Sequence, residues 1–423
     1  MNGGIAIVAA AIVAYSALAA RLDRRSVTPA MVFTLTGILL GPKVLDLLAI
    51  HPDSESVKLL TEITLALLLF ADASTMNPAA AIRAKAIDAR LLLVGLPLTV
   101  GLGTLLAALL FPDEGWAWAA LVATLLAPTD AALGMAVFTN RSVPVRVRRW
   151  LNVESGLNDG IATPLVTLFI ALVASEEGFT GAGWLAHTLK EIGIGVGVGL
   201  GVGIIGGRLM LAARGWGATT AVSEEVAVLA LAAAAYFTAL WAGGNGFIAA
   251  FVGGLALAGA SAGRLAERSD FTETTGFVLT LVVWTIFGAV LAGPALAEGF
   301  DARVIGFALL ALTVMRMLPV ALSLVGVGLR RDTVAFMGWF GPRGLASVVF
   351  ALLAFDGLEG SPPAQLVLRV ASWTILLSIV AHGLSAVPFA RRYAARVAGA
   401  DPSALELEDA PEPRTRRRTL LQP

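Results

Sequence analysis

The chain has 423 residues, 57% of them hydrophobic and only 14% charged, with 45 glycines and a mean hydropathy of +0.82. Such a composition departs from soluble averages toward a polytopic membrane protein. With no cysteine, disulfides, thiolate metal sites and cysteine nucleophiles are excluded, and a formal net charge of zero gives no sign of a nucleic-acid partner.

Thirteen hydrophobic segments follow one another: 3–20, 28–48, 57–75, 90–111, 115–138, 146–174, 185–212, 222–241, 244–261, 271–293, 302–326, 332–355 and 364–389. At ~20 residues per crossing the length suits a dozen or so spans in a lipid bilayer. The first segment has no basic leader and no cleavage site, and is expected to be a retained helix. The loops then alternate by charge. One set carries Arg21, Arg24 and Arg25; Arg83, Lys85 and Arg90; Arg141, Arg146, Arg148 and Arg149; Arg208 and Arg214; Arg264 and Arg268; Arg330 and Arg331; Arg391 and Arg392. The other set (HPDSES, FPDEG, SEEGFTGAG, WAGGN, GPALAEGFD, DGLEGSPP) holds almost no basic residue. By the positive-inside rule the basic set faces the cytoplasm of a cell membrane, with the N-terminus outside and the C-terminus inside. Residues 1–393 are expected to form the membrane domain. Residues 394–423, too poor in apolar side chains to fold, are expected to be a disordered cytoplasmic tail.

Two spans are interrupted. Ala127-Pro128-Thr129-Asp130 breaks the fifth and Phe340-Gly341-Pro342-Arg343-Gly344 the twelfth, because proline removes a backbone donor and disfavours helix in the residue before it. If residues 3–174 and 222–389 are two six-helix repeats joined by a linker helix over 185–212, both breaks fall in the fifth helix of a repeat, and the second repeat is inverted. Paired broken helices in inverted repeats point to a transporter's midplane site.

Acids cluster at these breaks. Asp130 lies in the fifth span and Glu154, Asn158 and Asp159 in the sixth, where each ionisable group costs at least ~2.5–3.5 kcal/mol and marks an ion or proton pathway. Asp159 is 13 residues beyond Arg146, roughly 20 Å along a helix and so near the bilayer centre. A carboxylate there can be neutralised by a proton or by a small dehydrated cation. Competition between the two is the minimal basis of exchange. Oxygen ligands for a monovalent cation are at hand in Asp130, Thr129, Ser155, which shares a helix face with Asp159, and Asp72. Asn158 supplies no titrating charge and is expected to bridge the fifth and sixth spans through Asp130. Glu154 needs a cationic partner; Arg316 is favoured, with Arg343 balancing the half-helix ends. Two other classes fit parts of the pattern: an intramembrane aspartyl protease, which needs two aspartates but gives no role to Asn158, Glu154 or the arginines, and a sodium-coupled organic anion transporter.

Other features read as structure. The run from Gly193 to Gly207 places glycines at i, i+4 on two helix faces and permits close helix approach; it is not a phosphate loop, so no nucleotide is expected. Glu273 reads as interfacial. His51, His187 and His382 have no metal spacing and read as interfacial or packed.

Taken together, APTDAALG, VESGLNDG and GPRGLASVVFALL, with LLLFADASTMN, GGNGFIAAFVGGLAL and TVMRMLPVAL around them, resemble the NhaP-type monovalent cation/proton antiporters, relatives of the sodium/proton exchangers, over residues 5–390. The sequence departs from that family at Asp72, where glutamate is more usual, and after Asp130, where proline commonly follows. The resemblance implies an all-α polytopic protein of about 13 transmembrane helices, with inverted six-helix repeats and two broken crossing helices. It further implies a core and a dimerisation domain, a homodimer and elevator-like movement of the core. Asp159, Asp130, Thr129 and Ser155 would be the cation ligands. The implied activity is antiport of sodium, or lithium or potassium, against protons, with no cofactor and no enzymatic reaction.

Overall fold

Where no water reaches the backbone, a chain must satisfy its own N–H and C=O groups, and helices do so segment by segment. The computed structural model describes residues 2–48, 50–76, 87–130, 133–176, 183–265, 268–401 and 403–408; helices make up its regular structure, and no strand occurs among the described residues. Among the described residues the helices fall into thirteen segments. These are α1 (Asn2–Arg24), α2 (Pro29–Leu40), α3 (Glu55–Thr75), α4 (Ile87–Leu110), α5a (Gly115–Leu125) with α5b (Met135–Phe138), α6 (Val145–Glu176), α7 (Trp184–Gly215), α8 (Ala221–Trp241), α9 (Gly246–Ala260), α10 (Asp270–Glu298), α11 (Ala302–Ser323), α12a (Arg331–Trp339) with α12b (Leu345–Gly357), and α13 (Pro362–Val397).

Two bundles pack side by side. One holds α1–α3 and α7–α10, and the other holds α4–α6 and α11–α13. Glycine faces bring the first together. A Cβ added at Gly195, Gly199 or Gly203 of α7 would lie 2.7, 2.6 or 2.3 Å from the carbonyl oxygens of Asn245, Ala249 or Gly253, so α7 and α9 touch backbone to backbone. Gly37 of α2 and Gly288 of α10 meet in the same way, each Cβ position falling 2.0–2.1 Å from a carbonyl of the other helix. The alternate glycines of α7, Gly193, Gly197 and Gly201, have nothing within 4 Å. Of the two glycine faces in the sequence, one is the packed face.

Several boundaries differ from the hydropathy pattern. The segment expected over 28–48 is helical only to Leu40, because Gly41 precedes Pro42 and takes an extended conformation, after which the N–H groups of Leu47 and Leu48 return to the Leu40 carbonyl at 2.9 Å. Within α4 and α10 the helix widens into π turns at Leu91–Gly95 and Phe287–Ala292, each just ahead of a proline, Pro97 and Pro294, whose missing N–H leaves a carbonyl unpaired one turn earlier. The basic residues Arg83 and Lys85 lie outside the described residues.

The tail expected to be disordered from 394 needs correction where it is described. α13 continues to Val397, and Leu405–Leu407 form a 3-10 turn. Glu406 is fully buried and accepts from Thr333 Oγ1 at 2.8 Å, while Arg146 reaches the Leu405 carbonyl at 3.2 Å and the Glu408 carboxylate at 2.6 Å. Two leucines and specific polar partners anchor a stretch whose composition alone suggests disorder. Residues 409–423 lie outside the described residues.

Candidate functional site

The site is the crossing of the two broken helices. α5a ends at Leu125 and α12b begins at Leu345, so a negative half-helix end and a positive one meet inside the protein. Each break supplies the group that the other half-helix lacks. Asp130 Oδ2 accepts from the Leu345 N–H at 2.9 Å, capping α12b, and the Asp130 N–H donates to the Pro342 carbonyl at 2.8 Å. In return, Arg343 donates to the carbonyls of Ala127 at 2.7 Å and Pro128 at 3.3 Å, and also to Ala311 at 3.2 Å. Ser347 Oγ donates to the Leu125 carbonyl at 2.8 Å. Arg343 is wholly buried, and its own N–H is held by Ser378 Oγ at 2.7 Å.

Glycine makes the crossing possible. A Cβ at Gly344 would fall 2.0 Å from Asp130 Oδ2, and one at Gly341 would fall 2.3 Å from Arg316 Nε. The FGPRG string therefore does more than break a helix: it leaves room for an acid on one side and an arginine on the other.

Glu154 and Arg316 pair on the neighbouring face. Arg316 Nη1 meets Glu154 Oε1 and Nη2 meets Oε2 at 2.8 Å, a forked pair with both side chains about 95% buried. Forked guanidinium–carboxylate pairs combine charge with directional hydrogen bonds. Arg316 also approaches the Met337 carbonyl of α12a at 3.5 Å, and His382 Nε2 lies 3.0 Å from the Trp339 carbonyl at the end of the same half-helix. His382 is thus a packed side chain.

On α6, Ser155 and Asn158 face the α5 break. Asn158 Nδ2 donates to Thr129 Oγ1 at 2.7 Å, and Thr129 Oγ1 lies 3.0 Å from Ser155 Oγ. The bridge between α5 and α6 therefore runs through Thr129, not through Asp130 as the sequence suggests. Thr129 turns toward α6 while Asp130 turns toward α12b. Asp159 is half-buried, in contrast to Asp130 and Glu154, and its carbonyl accepts from Thr163 Oγ1 at 2.8 Å. Asp72, also half-buried, borders the same turn of α6: its Cβ would be 3.9 Å from a Cβ at Gly156. The structure thus gathers Thr129, Ser155 and Asn158 by direct contact, joins Asp130 to Arg343 through the crossing, and sets Asp72 and Asp159 on the faces of α3 and α6 beside them. Ser347, Ser378 and the two glycines are the members that motif reading missed. Ser347 and the glycines stand in GPRGLAS, whose small residues are their signal, whereas no local pattern marks Ser378 on α13.

Crossed half-helices buried in one of two helical bundles define the architecture of the sodium/proton antiporters. Residues 7–392 match the sodium/hydrogen exchanger transmembrane family, and the chain belongs to that family. It is 26% identical over 377 residues to the K(+)/H(+) antiporter NhaP of Alkalimonas amylolytica (85% of this chain, 62% of the relative). It is likewise 26% identical over 398 residues to NhaP2 of Shewanella baltica, also named a K(+)/H(+) antiporter (91% and 66%). A further relative, ApNhaP of Aphanothece halophytica, is named a Na(+)/H(+) antiporter and is 24% identical over 286 residues (63% and 52%). The chain thus spans less than two thirds of the length of these relatives. Among solved structures, the sodium proton antiporter MjNhaP1 of Methanocaldococcus jannaschii superposes with a TM-score of 0.74 at 19% identity, covering 92% of this chain and 98% of that one. The fold is the same.

Proposed function

We propose that the protein is a secondary antiporter that exchanges a monovalent cation for protons across the cell membrane, with Asp159 as the shared carrier. The observation that carries this reading is the division of labour among the acids at the crossing. Glu154 is bound to Arg316 and Asp130 caps α12b, both buried, whereas Asp159 is half-buried one turn from Ser155. A group that releases a proton and takes up an ion needs a path to water, which the part-exposed Asp159 has although its Oδ1 is itself buried. Thr129, Ser155, Asp130 and Asp72 are the further oxygen ligands. Sodium is the first cation to test, with lithium and potassium beside it, since relatives carry both sodium and potassium in their names. The cargo is the ion itself, so no resident cofactor and no chemical step are required.

In this reading the bundle of α4–α6 and α11–α13 is the moving core, the other bundle is the scaffold and dimer surface, and the N-terminus lies outside. The test is dequenching of a pH dye in everted vesicles as each cation is added. Parent protein dequenches with at least one of them; Asp159→Asn abolishes the signal while the purified protein keeps its thermal stability. Retained exchange in Asp159→Asn would reject the carrier assignment.

A further inference from the structure

Among the described residues, three polar links between the two bundles lie on the face of the acidic loops. Lys58, in the second turn of α3, pairs with Asp356 near the end of α12b. Arg369 of α13 pairs with Glu298 at the end of α10, Nε to Oε2, at 3.6 Å. Asn245, which caps α9 by accepting from the N–H groups of Phe247 and Ile248, also donates from Nδ2 to Thr167 Oγ1 of α6 at 3.0 Å. On the basic-loop face, Arg214 and Arg268 pair with Glu224 within the first bundle, and Arg146 with Glu408 and Arg330 with Asp332 within the second.

Lys58 and the Asn245–Thr167 link line a cavity between the bundles, while Arg369 and Glu298 border a separate one beside α2. The first has a volume of about 520 Å³, and its wall includes Lys58, Thr167 and Asn245 at the links, Glu62, and Thr163, whose hydroxyl is bonded to the Asp159 carbonyl. The floor of the cavity is thus one helical turn from the proposed carrier.

We propose that Lys58–Asp356, Arg369–Glu298 and Asn245–Thr167 form a latch that holds the core bundle against the scaffold on the acidic-loop face and sets how often this cavity opens toward Asp159. The inference rests on the antiport reading only for its consequence; the latch itself is a property of the two bundles. A slide of one helical turn, ~5 Å, carries every one of these pairs out of contact, so the position seen here is the one they favour. Lys58 and Asp356 are 43% and 53% exposed, and each ion pair on its own is weak. Weak links acting on the same movement add, and they shift a two-state balance without fixing it.

Because the chain has no cysteine, one introduced thiol reports on opening. Val166 lines the cavity and is 1% exposed. In the Val166→Cys protein, labelling by a membrane-impermeant maleimide, read in vesicles of both orientations and without transported cation, is expected to be slow from the acidic-loop face. Lys58→Asp, which sets two acids against each other, is expected to speed it about threefold to tenfold, and Lys58→Gln with Arg369→Gln to do likewise. The swap Lys58→Asp with Asp356→Lys is expected to return the parent rate. Unchanged labelling in Lys58→Asp, or a swap as fast as the single variant, would overturn the latch. Proton-exchange assays on the same proteins separate the two readings: labelling as expected without any cation exchange rejects antiport alone, and normal exchange with unchanged labelling rejects the latch alone.

Discussion

Glu154 and Arg316 meet where neither charge could stand unpaired. Removing one member of a buried pair leaves the other desolvated and typically costs ~3–5 kcal/mol, whereas removing both is far milder. Glu154→Gln and Arg316→Gln are each expected to lower the thermal midpoint sharply, and the double variant to regain part of the loss, as read by thermal unfolding in detergent. A double variant no better than the worse single would reject a stabilising pair. At this scale the sequence was informative because few residues compete: only Arg316 and Arg343 are basic at that depth. It was silent on which oxygen Asn158 finds. Thr129 and Asp130 are adjacent, and only the path of the non-helical backbone after Pro128 decides that the hydroxyl turns to α6 and the carboxylate to α12b.

At the scale of elements, Pro128 and the GPRG string marked the two breaks because proline and glycine act on their own backbone. Their pairing pointed to a transporter's midplane site; which group caps which half-helix depends on the other helix, and that was not legible. The glycines supply a direct check. Gly344→Ala puts a methyl group 2.0 Å from Asp130 Oδ2, into a carboxylate already bonded to Leu345. Overpacking of this kind costs ~1–3 kcal/mol or more, and here it also displaces the cap of α12b, so exchange and thermal stability should both fall. On α7, Gly199→Ala collides with the Ala249 carbonyl at 2.6 Å, while Gly197→Ala meets nothing within 4 Å. The first should destabilise; the second should be neutral or raise stability by up to ~1 kcal/mol, the helix-propensity difference between the two residues. Equal thermal midpoints for the two α7 variants would reject the packing described for α7 and α9. The anchored residues 405–407 were not readable because they depend on contacts made by distant parts of the chain, whereas the short α2 and the π turns follow local prolines that a hydropathy pattern does not register.

For the whole molecule, the balance of charges at the crossing governs how exchange responds to voltage. Asn158 beside Asp159 is neutral, so the motif offers one carboxylate whose charge is cancelled by a proton or by a bound cation. Asp130 and Glu154 are already engaged, by the α12b N-terminus and by Arg316. Arginine also cannot release a proton during a cycle, whereas a lysine in its place could. A core that crosses with either a proton or a monovalent cation on Asp159 carries the same net charge both ways. A membrane potential acts on a moved charge with ~2.3 kcal/mol per 100 mV, and here there is no net charge for it to move. Exchange of one cation for one proton is therefore expected to be electroneutral. The measurement is reconstitution in liposomes with a valinomycin-clamped potassium diffusion potential, sodium as the tested cation, and internal pH as the readout. The steady-state sodium gradient should be the same at every imposed potential. A gradient that shifts with potential, or a transport current that scales with turnover on a supported membrane, would require a second proton carrier, and Asp72, the other half-buried acid beside this turn of α6, would be the first residue to neutralise in search of it.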